Sequence, residues 1–318
     1  METNRRMASK QPITIITTNF LCADVLLKNL EIIRNTIIPD KFVIIENSPS
    51  PQFVDWGENV QVIKGIRKEK LNKTQNSKEG LRVNKNSFHH GWALNKGIEY
   101  IDPCSKYVLF VDSDFFILQD IGNIIKYMEN NNLSFFGAPY PNKHPNSKNK
   151  GEMFFPTAFC MFVNLEKVDV KTFDFLPPLT EEMYQEWVKL KTDEKYSKEL
   201  DKTHFHSQKT ALLDTGHNVY HKYANDEKHK TEIAELVLEK SPATGMLPVA
   251  YMQSQQLNKF YKKIMYNNVF DLYQWQNKLF GLHVHLKLHL CNVQKRRQKQ
   301  KITCESIEGL YEFRDTVI

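Results

Sequence analysis

Asp112 and Asp114 flank Ser113 directly after the apolar run from Tyr107 to Val111. Side chains two apart on an extended segment point to the same side. Two carboxylates held that close repel one another unless a cation or a proton intervenes. Oxygen ligands select hard ions such as Mg²⁺ or Mn²⁺, which keep positions open for phosphate oxygens. The pair therefore predicts a site where a divalent metal holds a diphosphate. The competing reading is a solvated acidic turn, since short acidic triplets are common in loops.

The elements around the pair decide between the two. Residues 13–18 form a β-branched run that predicts a buried strand. A helix follows, with Asp24 as N-cap, Leu26, Leu27, Leu30, Ile33 and Ile37 on one stripe, and Pro39 as its stop. Residues 42–46 and 60–64 read as further strands, 88–100 as a helix and 107–111 as the most apolar strand. This alternation predicts an α/β domain, a mostly parallel sheet with helices on both faces. Ligands in such open sheets bind beyond the carboxyl ends of the strands, which is where the aspartates fall. Later strands are expected at 134–138 and 159–164, and helices at 180–200, 207–213 and 228–240. A strand is expected at 281–290, with His283, His285 and His289 on its polar face.

The segment from Asn86 through Trp92 to Ile101, followed by Tyr107 to Asp114, resembles the GT-A glycosyltransferases, in particular the large inverting "family two" group. Thr17-Thr18 matches the family's first strand end, Glu46-Asn47-Ser48 its turn after strand two, and Asn95-Lys96-Gly97 its Asn-x-Gly helix. The resemblance covers roughly the first 165 residues; Glu46 stands where the family more often has Asp. It implies a Rossmann-like GT-A sheet, with 12–165 as the nucleotide-sugar half, 166–290 as an irregular acceptor half and 291–318 as a basic arm. It implies that Thr17 and Thr18 line the nucleotide, that Glu46 meets the base or ribose, and that Asn95 lies near the sugar or diphosphate. Asp112, Ser113 and Asp114 would face the ribose and an Mn²⁺ or Mg²⁺ ion. A late histidine is expected as a further ligand, His283 before His285, because His283 follows a turn expected at Gly281. Asp214, in Leu212-Leu213-Asp214-Thr215-Gly216, is the expected general base, with helix capping as its other reading and Glu181 and Glu182 as weaker candidates. Phe154, Phe155, Phe159, Tyr273 and Trp275 are candidate sugar-stacking faces or core residues.

Taken together, these residues predict transfer of a sugar from a UDP- or GDP-linked donor to a hydroxyl on a glycan or glycoconjugate. One rival is a nucleotidyltransferase, disfavoured because the loop after the first strand, Thr17 to Leu21, lacks glycine. Another is a non-catalytic binding protein using the basic residues between Lys295 and Lys301. Lys and Arg exceed Asp and Glu, 43 to 37, for a net charge of +6. That suits anionic substrates or a weak membrane-surface preference and does not require nucleic acid. No run of about 18 apolar residues predicts a spanning helix. The 5 cysteines form no C-x-x-C pair, which argues against a zinc site and fits a reducing, cytoplasmic setting. The Lys- and Asn-rich composition would make that a host cytoplasm if the source is viral.

Overall fold

The computed structural model describes residues 8–48, 53–65, 82–83, 85–139, 155–176, 212–213, 215–224, 226–238 and 269–285. Its centre is a seven-stranded sheet. The strands, in sequence order, are β1 (Ser9–Asn19), β2 (Ile37–Glu46), β3 (Val60–Lys64), β5 (Tyr107–Val111), β7 (Phe135–Gly137), β8 (Cys160–Asn164) and β10 (Thr231–Ile233). Their spatial order is β10-β7-β8-β5-β1-β2-β3. β1 pairs in parallel with both β2 and β5, β2 with β3, and β10 with β7, whereas β8 runs antiparallel to β5 and β7. The sheet is thus mixed and mostly parallel, and the domain is α/β.

Every side chain of β5 is buried. A strand covered on both faces must be apolar on both, hence the unbroken run from Tyr107 to Val111. Tyr107, Leu109 and Val111 enter one core with Leu26, Leu30 and Ile33 of helix α1 (Ala23–Arg34), and with Ile121, Ile124 and Met128 of α3 (Ile121–Asn130). Val108 and Phe110 enter the opposite core with Ala93 and Leu94 of α2 (Lys85–Ile98), and with Val219 and Tyr223 of α4 (His217–Tyr223). In α2 a Cβ on Gly97 would stand 2.5 Å from Ile16 Cγ2, so only glycine lets the helix approach β1 this closely.

A second, antiparallel sheet has the order β11-β12-β13-β6, built from β6 (Phe115–Ile117), β11 (Glu235–Leu238), β12 (Val269–Trp275) and β13 (Lys278–His285). β4 (Arg82–Val83) and β9 (Leu212–Leu213) form a short parallel pair. Among the described residues no helix is long and apolar enough to cross a membrane.

Several expected boundaries shift. Helix α1 starts after Cys22, with Asp24 inside its first turn, and it ends at Arg34. Pro39 lies in β2, where the β1 register slips between Gln11 and Thr14; a residue without an N–H is tolerated at such an irregularity. Residues 231–238, expected as helix, are strands, because β7 and β12 offer open ladders that outweigh a short helical spacing. The turn expected at Gly281 is the two-residue loop Gln276-Asn277, both at positive φ (51° and 57°); Gly281 sits inside β13 against Ile117. The helix expected at 180–200, residues 286–290 and the basic arm lie outside the described residues, as do residues 207–211 of the helix expected at 207–213, whose last two residues are the strand β9, drawn into pairing with β4.

Candidate metal centre

β5 ends at Val111 in the large sheet and β6 begins at Phe115 in the small one. Asp112, Ser113 and Asp114 make the corner between them, a turn closed by Phe115 N–H donating to the Asp112 carbonyl at 3.1 Å. The expected extended segment is therefore a tight turn, and the carboxylates converge through it and not through strand alternation. β13 pairs His283 with Phe115, and Val284 N–H donates to the Asp114 carbonyl at 2.9 Å. These bonds bring His283 Nε2 to 3.6 Å from Asp114 Oδ1. Ligand atoms of Asp112, Asp114 and His283 all lie within 4.8 Å of one another.

Ligands about 2.1 Å from one ion lie about 3.0 Å apart when adjacent and about 4.2 Å when opposite, so an ion bound here would draw the three side chains inward. Two partly exposed carboxylates and one imidazole form a donor set that could hold a divalent metal with coordination positions left open. Burial works against a charged His283, but the hydrogen bond and charge of Asp114, with Asp112 and Asp271, outweigh it and raise its pKa above the usual value. The imidazole is stacked on Phe159, with ring centroids 4.5 Å apart and planes at 30°. That places Phe159, a candidate sugar-stacking face, against the His283 imidazole.

Two residues not anticipated from the sequence hold the corner. Asn29, 1% exposed on α1, donates through Nδ2 to the carbonyls of Asp112 (3.2 Å), Ser113 (3.4 Å) and Phe115 (2.8 Å). A polar residue one turn from Leu26 on an otherwise apolar stripe was its sequence signal. His90 Nε2 stands 2.8 Å from Asp112 Oδ1. It occupies the same α2 face as the buried Ala93 and Leu94, so helical spacing alone pointed it at the sheet.

The remaining expected residues occupy the carboxyl ends of β1 and β2. Alternation sends Thr17 to the α1 side with Ile15 and Thr18 to the α2 side with Ile16. Thr17 is fully buried and Thr18 half-buried. Glu46 accepts from Asn19 Nδ2 at 2.6 Å and from Ser48 N–H at 2.8 Å. Leu21, in the loop without glycine, adopts a positive φ of 58° and donates its N–H to Ser48 Oγ. Ser113 Oγ lies 3.0 Å from the buried Cys22 thiol. Asn95 directs its amide elsewhere: Nδ2 donates to Asp174 Oδ1 and Oδ1 accepts from Phe175 N–H.

Phe155 is core, its ring tilted at 57° to that of Phe135, while Tyr273 and Trp275 place their polar atoms on Pro139 and Glu232. Asp214, Glu181, Glu182 and Phe154 lie outside the described residues, as does the His285 side chain. Next to Asp214, Thr215 is buried, and Gly216, at φ 80°, is the N-cap of α4.

No protein-family model matches the chain, and no curated protein matches it. Solved structures similar to it include galactosyltransferase LgtC with donor and acceptor sugar analogues. That match has 15% identity and a TM-score of 0.38, and it covers 78% of this chain and 81% of that one. Others are a 4-diphosphocytidyl-2C-methyl-D-erythritol synthase from Anaerococcus prevotii (10% identity, 71% and 88% covered, TM-score 0.33) and core-mannan synthase A from Aspergillus fumigatus in its Mn/GDP form (11%, 64% and 65%, 0.28). Likenesses this distant carry no functional weight, and the site stands on its own geometry: two carboxylates and an imidazole converging at the corner between two sheets.

Proposed function

We propose that this chain is a metal-dependent glycosyltransferase of the GT-A type, moving a sugar from a nucleoside diphosphate, UDP or GDP, to a hydroxyl on a glycan or glycoconjugate. The observation that carries this reading is the convergence of Asp112, Asp114 and His283 beside the carboxyl ends of β1, β2 and β5. A divalent ion bound there would neutralise charge on the leaving diphosphate. Asp112 and Asp114 supply oxygens and His283 a nitrogen, leaving room for phosphate oxygens. His90 fixes Asp112 from the α2 side, and Asn29 fixes the turn backbone from the α1 side. Glu46, held by Asn19 and Ser48, is assigned to the base or ribose, with Thr18 and Ser113 nearby on the nucleotide path. Asp214 is assigned as the base that takes the proton of the acceptor hydroxyl.

The test is a thermal-shift screen of nucleoside diphosphates and their sugars, with and without Mn²⁺, on wild type and Asp114→Ala. A ligand at a hundred times its dissociation constant adds about 2.7 kcal/mol of stability, readily seen as a higher melting temperature. A shift requiring both metal and Asp114 is expected. No shift with any nucleotide would overturn the proposal.

A further inference from the structure

Asp271 is not among the three converging ligand side chains, yet it is fully buried and its charge acts on His283. It lies in β12 between Phe270 and Leu272, and aspartate is among the residues least suited to a strand interior. Burying a carboxylate costs several kcal/mol unless it is paired and hydrogen-bonded. Strand propensity and packing therefore do not account for an acid at this position.

The register supplies a reason. In the antiparallel β12–β13 pair Asp271 is directly opposite His283, flanked by the Phe270–Val284 and Leu272–Leu282 pairs. Directly opposite residues project to the same face with Cβ atoms about 4.5–5.5 Å apart. His283 is itself 8% exposed. Its Nε2 edge looks toward Asp114, 3.6 Å away, and its Nδ1 is closed off from solvent. Phe159 stacks on the ring and Phe115 approaches it at 5.9 Å. Aromatic walls restrain a ring's tilt but do not choose which nitrogen carries the proton. A carboxylate opposite the ring does so when it accepts from Nδ1–H and leaves the Nε2 lone pair for the metal, and the charge of Asp271 already acts on this ring.

We propose that Asp271 is the positioning residue for His283, fixing its tautomer and its orientation toward the Asp112–Asp114 corner. Burial of the acid serves that role, because a charge shielded from water acts on one imidazole. The inference rests on the metal-binding reading of the site, and the experiment separates the two.

Mn²⁺ binding to the full chain is measured by the loss of the free-ion signal in electron paramagnetic resonance. The proteins compared are wild type, Asp114→Ala, Asp271→Asn, His283→Ala and the Asp271→Asn/His283→Ala double variant. Asp271→Asn keeps the size of the side chain and removes its charge, and circular dichroism checks its fold. The expected result is saturable binding in wild type, with an affinity reduced about tenfold or more in Asp271→Asn, the usual effect of losing an outer partner of a ligand. In the His283→Ala background the same change should add little, because its route to the metal is gone. Wild-type affinity in folded Asp271→Asn overturns the proposal, as does an equal loss with and without His283. Absence of Mn²⁺ binding in wild type, alone and with a nucleoside diphosphate, overturns the metal-binding reading and this inference along with it.

Discussion

The Val284 N–H donates to the Asp114 carbonyl, extending the β13–β6 ladder that registers the hairpin of β12 and β13 on the acidic corner. The neighbouring residue, His283, then faces Asp114 without any freedom to slide, because a slip of one position would turn it to the opposite face of the sheet. Removing the imidazole should therefore affect metal binding more than folding. His283→Gln is expected to lose most of the Mn²⁺-dependent rise in melting temperature while unfolding cooperatively, as followed by differential scanning fluorimetry with and without the ion.

His90 and Asp112 form the opposite flank of the site. His90→Ala leaves Asp112 without its α2 partner, and outer partners of this kind are commonly worth about 10- to 100-fold in metal affinity or activity. A fall of roughly tenfold in Mn²⁺ affinity is expected, measured by isothermal titration. An unchanged affinity would show that the Asp112 carboxylate is placed by the turn alone.

Asn29 supports the backbone of the same turn. Asn29→Leu keeps the branched outline of the side chain but takes the donor away from carbonyls that are shielded from water. The cost is about 1–3 kcal/mol, to be read from urea denaturation. The Mn²⁺-dependent thermal shift should fall as well, since the ligands share that turn.

Gly97→Ala tests the contact between α2 and β1. The new methyl would meet Ile16 at 2.5 Å, tighter than packed carbons allow. Overpacking of this type costs about 1–3 kcal/mol, although alanine is the better helix former, so a lower urea midpoint is expected where propensity alone predicts a higher one.

Alkaline pH should weaken the fold through its buried thiols. Burial lifts Cys22 from 9.0 to about 11, with Asp114 and Glu46 adding to the rise and the Ser113 hydrogen bond opposing it. Burial likewise raises Cys160 well above its ordinary value. For a group whose folded pKa is raised, stability is complete below the unfolded pKa and is lost as pH climbs through the folded one. The urea midpoint should thus be insensitive to these groups below about pH 9. Between about 9 and 11 the unfolding free energy should fall by about 1.4 kcal/mol per pH unit for each thiol, and the urea midpoint with it. Cys22→Ala should flatten that slope.

Central strands were easy to read because they are covered on both faces. Residues 13–18, 42–46 and 107–111 are apolar for that reason, and all three occur as strands with parallel neighbours, while 60–64 occurs as the partly exposed edge strand β3. The aspartate pair was legible from its place after β5, as was the histidine from the alternation of β13. Gly281 is not what selects His283, however, since the turn is Gln276-Asn277 and the choice is made by pairing with Phe115. Asn29, His90 and Asp271 went unnoticed because each is a lone polar residue whose partner lies far away in sequence. Local pattern reports a face, whereas only the assembled sheets reveal which carbonyl or ring that face meets. Residues 231–238 show the converse, a helical spacing overridden by an open strand edge.

The corner between the two sheets also governs when the protein becomes competent during its synthesis. Asp112 and Asp114 leave the ribosome roughly 170 residues before His283, which at about 5–20 residues per second is a delay of roughly 10–30 s. Throughout that interval β6 has no β13 to pair with, and the two carboxylates have no imidazole from β13 beside them. A nascent or prematurely terminated chain would hold the parallel strands of the large sheet yet lack the complete ligand set. Completion of the site thus reports that translation has reached the last described hairpin.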